Sequence, residues 1–360
     1  MESMGRLDRM RHMWWLAAWG LPWLMAAAAG CSDPAYALYA VRGQLHLVSR
    51  TRPIDWVLAS GSLTEEQRAK IALIQDVRDF AAEIGLNVAG SYTTFLDTGG
   101  EPVAYNLSAS AKDSFTPYTW TFPFAAEIPY LGFFGFEEAR RYQENLVARG
   151  YDTVLYPVAS YSTLGVFPDP ITSAMLEYTE TYLVDLIIHE VTHNTVWREN
   201  DTDFNENVAT FVAEAGAVAY LTRENGADSE VVRRVLDEYE DADVYNEFLA
   251  DLYARMSDYY ASDLSREEKI EGRSALFAEA KQRFRDEYLP RMHRPEDYDW
   301  VETLNINNAW ILLNARYNAD LSAFEAVYEF TDRDFGATLQ IFREAAASND
   351  PIGYLQDAVK

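Results

Sequence analysis

His189-Glu190-Val191-Thr192-His193 is the stretch from which the rest of the chain is read. Positions i and i+4 of an α-helix share one face, so both imidazoles can reach a single metal ion. Glu190 stands about 100° round the axis from His189. Its carboxylate can therefore meet a water on such an ion rather than the ion itself. The competing use of the pair is two helix-face histidines satisfied by hydrogen bonds in a core. Of the five histidines in the chain, His12 lies near the start, and His46 and His293 are isolated in sequence.

A catalytic zinc takes three protein ligands and keeps one corner open for water, so a further donor is expected after His193. The metzincin pattern would need Gly at position 196 and His at 199, where this chain has Val196 and Glu199. The segment Asp203-Phe204-Asn205-Glu206-Asn207-Val208-Ala209 is the better source. A helix starting there and packing antiparallel on the first could turn Glu206 toward the metal. Glu214, two turns on, is the reserve. A rival role exists for Glu206. Asp203 as N-cap with Glu206 three residues later would form a capping box and occupy the carboxylate.

Outward from this site the periodicity is mixed, which predicts an α+β fold. Residues 35–85 read as helical, with two overlapping capping boxes in Ser62-Leu63-Thr64-Glu65-Glu66-Gln67. Tyr92–Leu96, Val103–Leu107, Tyr118–Phe122, Tyr130–Phe136 and Thr153–Val158 are rich in β-branched and aromatic residues between Gly, Pro and Asp, and read as strands. A helix from Glu137 to Arg149 interrupts them before Gly150. The zinc-type helix is expected over residues 181–197 and a second from about Phe204. After Asp228 the pattern is helical, with Phe248, Leu252, Tyr253, Met256 and Tyr260 as a packing stripe. The expected architecture is a small β-sheet over the active-site helix with a helical C-terminal lobe. It divides into a leader (1–30), an N-terminal helical segment with sheet and zinc-site helices (31–227) and the lobe (228–360).

The leader has a basic start (Arg6, Arg9, Arg11), an apolar run from Met13 to Met25, and Ala26-Ala27-Ala28-Ala29-Gly30 before Cys31, the only cysteine. Small residues closing a short apolar run suit a signal peptidase. The following cysteine resembles a bacterial lipobox, in which it is lipidated and becomes the new N-terminus. An uncleaved anchor and an ordinary secretory leader are the other readings. Ser32 in place of Asp after the cysteine resembles outer-membrane sorting, with the protein facing the periplasm. With 57 acidic against 30 basic residues and a net charge of −27, binding to nucleic acid or anionic headgroups through overall charge is not expected.

The span His189–Ala209 resembles a gluzincin, in which an Asn-Glu-x-x-Ala helix gives the third ligand. More closely, the chain resembles a family of bacterial predicted zinc aminopeptidases with a lipoprotein leader. The matching pieces are Cys31 with Tyr39 and Gly43-Gln44; Arg52-Pro53-Ile54; Tyr161-Ser162-Thr163-Leu164-Gly165; the zinc helix; Phe204-Asn205-Glu206; and Asn307-Asn308-Ala309 with Tyr317. The family has Ala-His-Gln where this chain has Thr192-His193-Asn194, and Ser-Phe where it has Asn207-Val208; both changes flank the ligands. The resemblance implies Zn held by His189, His193 and Glu206, a peptide substrate, and aminopeptidase action. Zinc brings the pKa of a bound water to about 7, and Glu190 would accept its proton and pass it to the leaving amine. Tyr161, Tyr317 and His293 are candidate donors to the developing oxyanion. Residues 161–165, continuing the strand before them, could pair with an extended peptide. The Gly-x-Met-Glu-Asn strand with which aminopeptidase N-like enzymes hold the substrate amine is absent. Endopeptidase action and a lipid-anchored binding or assembly protein with a structural metal therefore remain the alternatives.

Overall fold

Three helices open the described chain, in keeping with the periodicity: α1 (Pro34–Arg50), α2 (Ile54–Ser60) and α3 (Glu65–Glu83). The structure is a computed structural model, and it describes residues 34–122, 125–158, 169–199, 201–317 and 321–360. Of the two overlapping capping boxes, the second is used. The Thr64 hydroxyl accepts from the Gln67 amide at 3.1 Å, and the Gln67 side chain accepts from the Thr64 amide at 3.1 Å. α3 stops before Gly85, whose φ of +96° is a conformation that costs glycine little.

The strands are short: β1 (Arg52–Pro53), β2 (Thr94–Leu96), β3 (Ala104–Ser110), β4 (Trp120–Phe122), β5 (Ala125–Ile128), β6 (Tyr130–Phe133), β7 (Asp152–Val158) and β8 (Ile171–Thr172). They form three sheets rather than one. In the largest, β3 is central and antiparallel to both neighbours, with Asn106 opposite Gly132 on β6 and Tyr156 on β7. A second sheet joins β2 antiparallel to β1 and parallel to β8. β4 and β5 make a hairpin. α4 (Phe136–Ala148) lies against the largest sheet, where Leu107, Leu131, Phe133, Ala139 and Leu146 form one apolar cluster.

The remaining helices are α5 (Glu180–His193), α6 (Thr202–Asn225), α7 (Glu230–Ala261), α8 (Arg266–Arg283), α9 (Trp300–Thr303), α10 (Asn308–Tyr317), α11 (Ser322–Phe330), α12 (Phe335–Ala347) and α13 (Pro351–Ala358). α5 packs chiefly between α3 and α6. The sheet that reaches its core is β1–β2–β8, through Phe95 and Ile171; the largest sheet has a separate apolar cluster. Helix α3 thus occupies the place where the sequence suggested a sheet.

The apolar clusters do not follow chain order. Ile187, Ile188 and Val191 of α5 share a core with Ile74 of α3, Val212 of α6, and Phe324, Phe342 and Leu355 of the last three helices. Phe248, Leu252, Met256 and Tyr260 of α7 instead pack with Phe284, Val301 and Trp310. A buried ion pair ties this second cluster to the largest sheet. Arg273 of α8 donates two hydrogen bonds to Asp152 of β7, and the Asn308 amide donates to the same carboxylate at 3.0 Å.

Candidate metal centre

The two helices that carry the expected ligands are each started by a side-chain cap. Thr179 accepts from the Tyr182 amide at 3.3 Å and begins α5, with Glu180 in the first turn where the helix dipole favours an anion. Asp201, not Asp203, caps α6, accepting from the Phe204 amide at 3.1 Å. The rival capping box is therefore not formed, and the Glu206 carboxylate is left available.

The connection between the helices is clamped. Asn205 accepts from the Arg198 amide at 2.8 Å and donates to the Arg198 carbonyl at 2.8 Å. The Arg198 guanidinium pairs with Asp201 at 3.0 Å and donates to the Ala346 carbonyl of α12 at 2.9 Å. Thr195 accepts the Asn87 amide at 2.8 Å through its hydroxyl. These bonds fix where the first turn of α6, and with it Glu206, meets the end of α5.

His189, His193 and Glu206 converge. Glu206 Oε2 lies 3.4 Å from His189 Nε2, and Oε1 lies 3.8 Å from His193 Nε2. The imidazole rings are 5.0 Å apart and nearly perpendicular, at 85°. One ligand atom from each of the three lies within 4.8 Å of the others, and among the described residues this is the group of side chains suited to a metal ion. Bonds of about 2.0–2.1 Å to a tetrahedral ion put its donors roughly 3.3–3.5 Å apart. The spacing is close to that edge length, and the nitrogen and carboxylate donors suit zinc, so the residues fit the ion.

The protonation states also suit a cation. Burial, helped by charge on His189 and opposed by Glu206, pushes His193 down to about 4, so its ring is neutral at pH 7. Burial works against the charge on Glu206, but the hydrogen bond from His189 and the two imidazoles hold its pKa below the ordinary value. His189 is likewise disfavoured as a cation by burial, yet Glu206, Glu190 and Asp185 together raise its pKa. A divalent ion would take the place of that proton. The buried Nδ1 of His193 has no hydrogen-bond partner among the described residues, and the Trp197 ring stands edge-on to the imidazole at 6.0 Å.

Two further carboxyls adjoin the triad. Asp185 is one turn before His189 on the same face of α5 and accepts from the Tyr239 hydroxyl at 3.0 Å. Burial raises its pKa, against the effect of that bond. Glu214, on α6, is pushed up to about 8 by burial and then by Asp185, Asp243 and Glu325. Neither forms an ion pair with Arg or Lys among the described residues. Beside Asp185 opens a cleft of about 510 Å³ lined by Tyr178, Tyr182, Asp185, Val235, Glu238 and Tyr239, among others. The Tyr182 hydroxyl is pushed up to about 12 by burial, with Tyr178, Asp185 and Glu190 adding to it, so Glu190 acts electrostatically on a wall of this cleft.

Other expected site residues fall elsewhere. Glu214 is outside the group formed by His189, His193 and Glu206. His293 is exposed on the surface, its ring bonded to Glu240 at 2.7 Å. Asn307 donates to the Thr153 carbonyl and Asn308 to the Ala111 carbonyl, so both hold backbone. Residues 161–165, the Tyr317 side chain and Cys31 lie outside the described residues. The sequence reading missed Asp185 and Tyr239. Asp185 was within reach, since it precedes His189 by the same four residues that separate the two histidines.

A profile of the family described as "Putative aminopeptidase" matches residues 35–351. The chain belongs to this family. Comparison with curated proteins and with solved structures gave no match. The match takes in α5, α6 and almost every other described element of this aminopeptidase-family protein, so the triad and the cleft both lie within it.

Proposed function

We propose that this protein is a zinc-dependent, gluzincin-like peptidase that removes residues from the amino-terminal end of peptides. The observation that carries the proposal is the convergence of His189, His193 and Glu206, from two helices, with Glu190 next to the first ligand. When bound there, zinc would acidify a water and polarise the scissile carbonyl. Glu190 holds the proton taken from the attacking water and returns it to the leaving amine. His193 stays neutral because it is buried, and Glu206 stays ionised, against its burial, chiefly through the hydrogen bond from His189.

The amino-terminal preference is supported by Asp185 and Glu214. Neither carboxyl pairs with Arg or Lys among the described residues, His189 is the positive charge that acts on both, and Asp185 lines the open cleft. A substrate ammonium entering the cleft would meet the Asp185 carboxyl there. By the resemblance of the leader, the protein acts while tethered by a lipid on Cys31 to the outer membrane, facing the periplasm.

The test is turnover of matched peptides with free and with acetylated amino termini, using the zinc-loaded protein and its Glu190→Gln variant. The free peptides should be trimmed stepwise and the acetylated ones spared. Glu190→Gln should keep zinc and lose about 10²–10⁴-fold in rate. Equal turnover of both peptide sets would reject the amino-terminal form. Zinc binding with no cleavage of either set would reject the peptidase and favour a structural metal in a binding protein.

A further inference from the structure

Helix α1 has one face fastened to the protein and another that nothing among the described residues covers. On the fastened side the Tyr36 hydroxyl donates to the Gly132 carbonyl at 2.6 Å, and the Tyr39 hydroxyl accepts from the Phe134 and Gly135 amides at 2.8 and 3.0 Å. Gly43 lies so close to the Phe134 ring that a Cβ there would collide with it. The helix is thus seated firmly along β6 and the turn after it.

The outer face is apolar where a surface helix would be polar. Leu38, Leu45 and Val48 are 67%, 49% and 42% exposed. Their spacing of seven and three residues places them on one side of the helix. The charge here is also unlike that of the rest of the chain. Residues 34–54 contain Arg42, Arg50 and Arg52 and no acid, whereas the whole chain has 57 acidic and 30 basic residues. Arg50 and Arg52 donate to backbone carbonyls of Asp97, Ser49 and Thr51, and neither forms an ion pair among the described residues. An apolar stripe flanked by Arg is the pattern of a helix lying in a bilayer interface.

We propose that the exposed face of α1 rests on a phospholipid surface, with Leu38, Leu45 and Val48 entering the interface and Arg42 and Arg50 meeting lipid phosphates. Charge selects this occupant over a second copy of the chain. Self-pairing would set one group of arginines against another, whereas anionic headgroups complement them. The acidic remainder of the molecule is repelled by the same headgroups, so contact through α1 turns the rest of the protein away from the bilayer. The proposal rests on the tether at Cys31 and not on hydrolysis. Two residues, Ser32 and Asp33, lie between Cys31 and Pro34, so a lipid on Cys31 holds the start of α1 within about 10 Å of the headgroups.

No helix among the described residues is long and apolar enough to cross a membrane, so the contact is with the surface. The test uses the full lipid-bearing chain in vesicles of phosphatidylethanolamine and phosphatidylglycerol. A nitroxide is placed at Leu45→Cys or, as a solvent control, at Leu236→Cys on α7, which is 43% exposed. Sedimentation with the vesicles reports the tether separately, and peptide turnover reports catalysis. The Leu45 label should be relaxed more by oxygen than by a water-soluble nickel chelate, and the Leu236 label the reverse. Arg42→Glu with Arg50→Glu should make the Leu45 label shallower. Sedimentation with the same relaxation at both sites overturns the proposal. So does dipolar broadening between Leu45 labels, which would mean that a second copy covers the face. Failure to sediment overturns the tether, and the proposal with it.

Discussion

Replacing Gly216 by Val should drive a wedge between the two helices that bring His189, His193 and Glu206 together. Gly216 sits within α6, where a Cβ would lie 3.1 Å from both Cδ1 and Cγ2 of Ile188 on α5. Carbon atoms in contact prefer about 3.5–4.0 Å, so even one methyl asks for several tenths of an ångström. Ile188 is fully buried and precedes His189 directly, so it has little room to give. Gly216→Ala sets this crowding against a gain in helix propensity of about 1 kcal/mol, and should come out near neutral. Gly216→Val adds two more methyls and should cost about 1–3 kcal/mol of overpacking.

Moving the helices apart also opens the 3.4 and 3.8 Å separations between Glu206 and the imidazoles. Ligand distances tolerate only about 0.2 Å of error, so zinc affinity should fall by roughly 10–100-fold, as when a supporting shell is lost. The assay is urea unfolding of the chelated protein together with zinc competition against a chromophoric chelator. A Gly216→Val protein with wild-type unfolding and wild-type zinc affinity would refute the idea that this close approach sets the site.

Glu214 should make the metal-free protein less stable as pH rises. Its carboxyl is lifted from an ordinary value near 4.5 to about 8. Between those values the folded state keeps a proton that the unfolded state releases, so stability falls through this window and levels off above it. Glu214→Gln should flatten that slope, an effect on the order of a few kcal/mol at pH 8; an unchanged unfolding profile from pH 5 to 8 would contradict it. Asp152→Ala should strand the buried Arg273 guanidinium and cost about 3–5 kcal/mol in denaturant unfolding, and a loss under about 1 kcal/mol would show the pair to be solvated. Glu206→Gln should weaken zinc binding by more than about 100-fold, whereas Glu214→Gln should leave it within a few-fold; equal effects would place both carboxylates at the metal.

The parts that were legible in the sequence are those set by local geometry. The four-residue step from His189 to His193 needed only the helix period, and the bounds of α3 and α4 followed from a capping box and from Gly85 and Gly150. Glu206 was legible as a candidate only. Whether its carboxylate was free to face the imidazoles or closed a capping box depended on which acid began α6, and Asp201, two residues earlier than Asp203, takes the cap.

What could not be read was long-range pairing. A helical stripe such as Phe324, Phe342 and Leu355 reveals a buried face but not that its partner is α5, far earlier in the chain. The parallel pairing of β2 with β8 rests on two-residue contacts at Phe95 and Leu96, too short to leave a periodic trace. Glu214 was visible as an acid on the right helix, but its burial beside Asp185 and Tyr239 is a property of three helices brought together.

The most direct measurement is anomalous diffraction at the zinc edge from crystals of the zinc-loaded protein. A single peak within about 2.0–2.2 Å of His189 Nε2, His193 Nε2 and a Glu206 carboxylate oxygen is the predicted result. A peak bound elsewhere, or no peak at these three side chains in zinc-saturated crystals, would contradict the account.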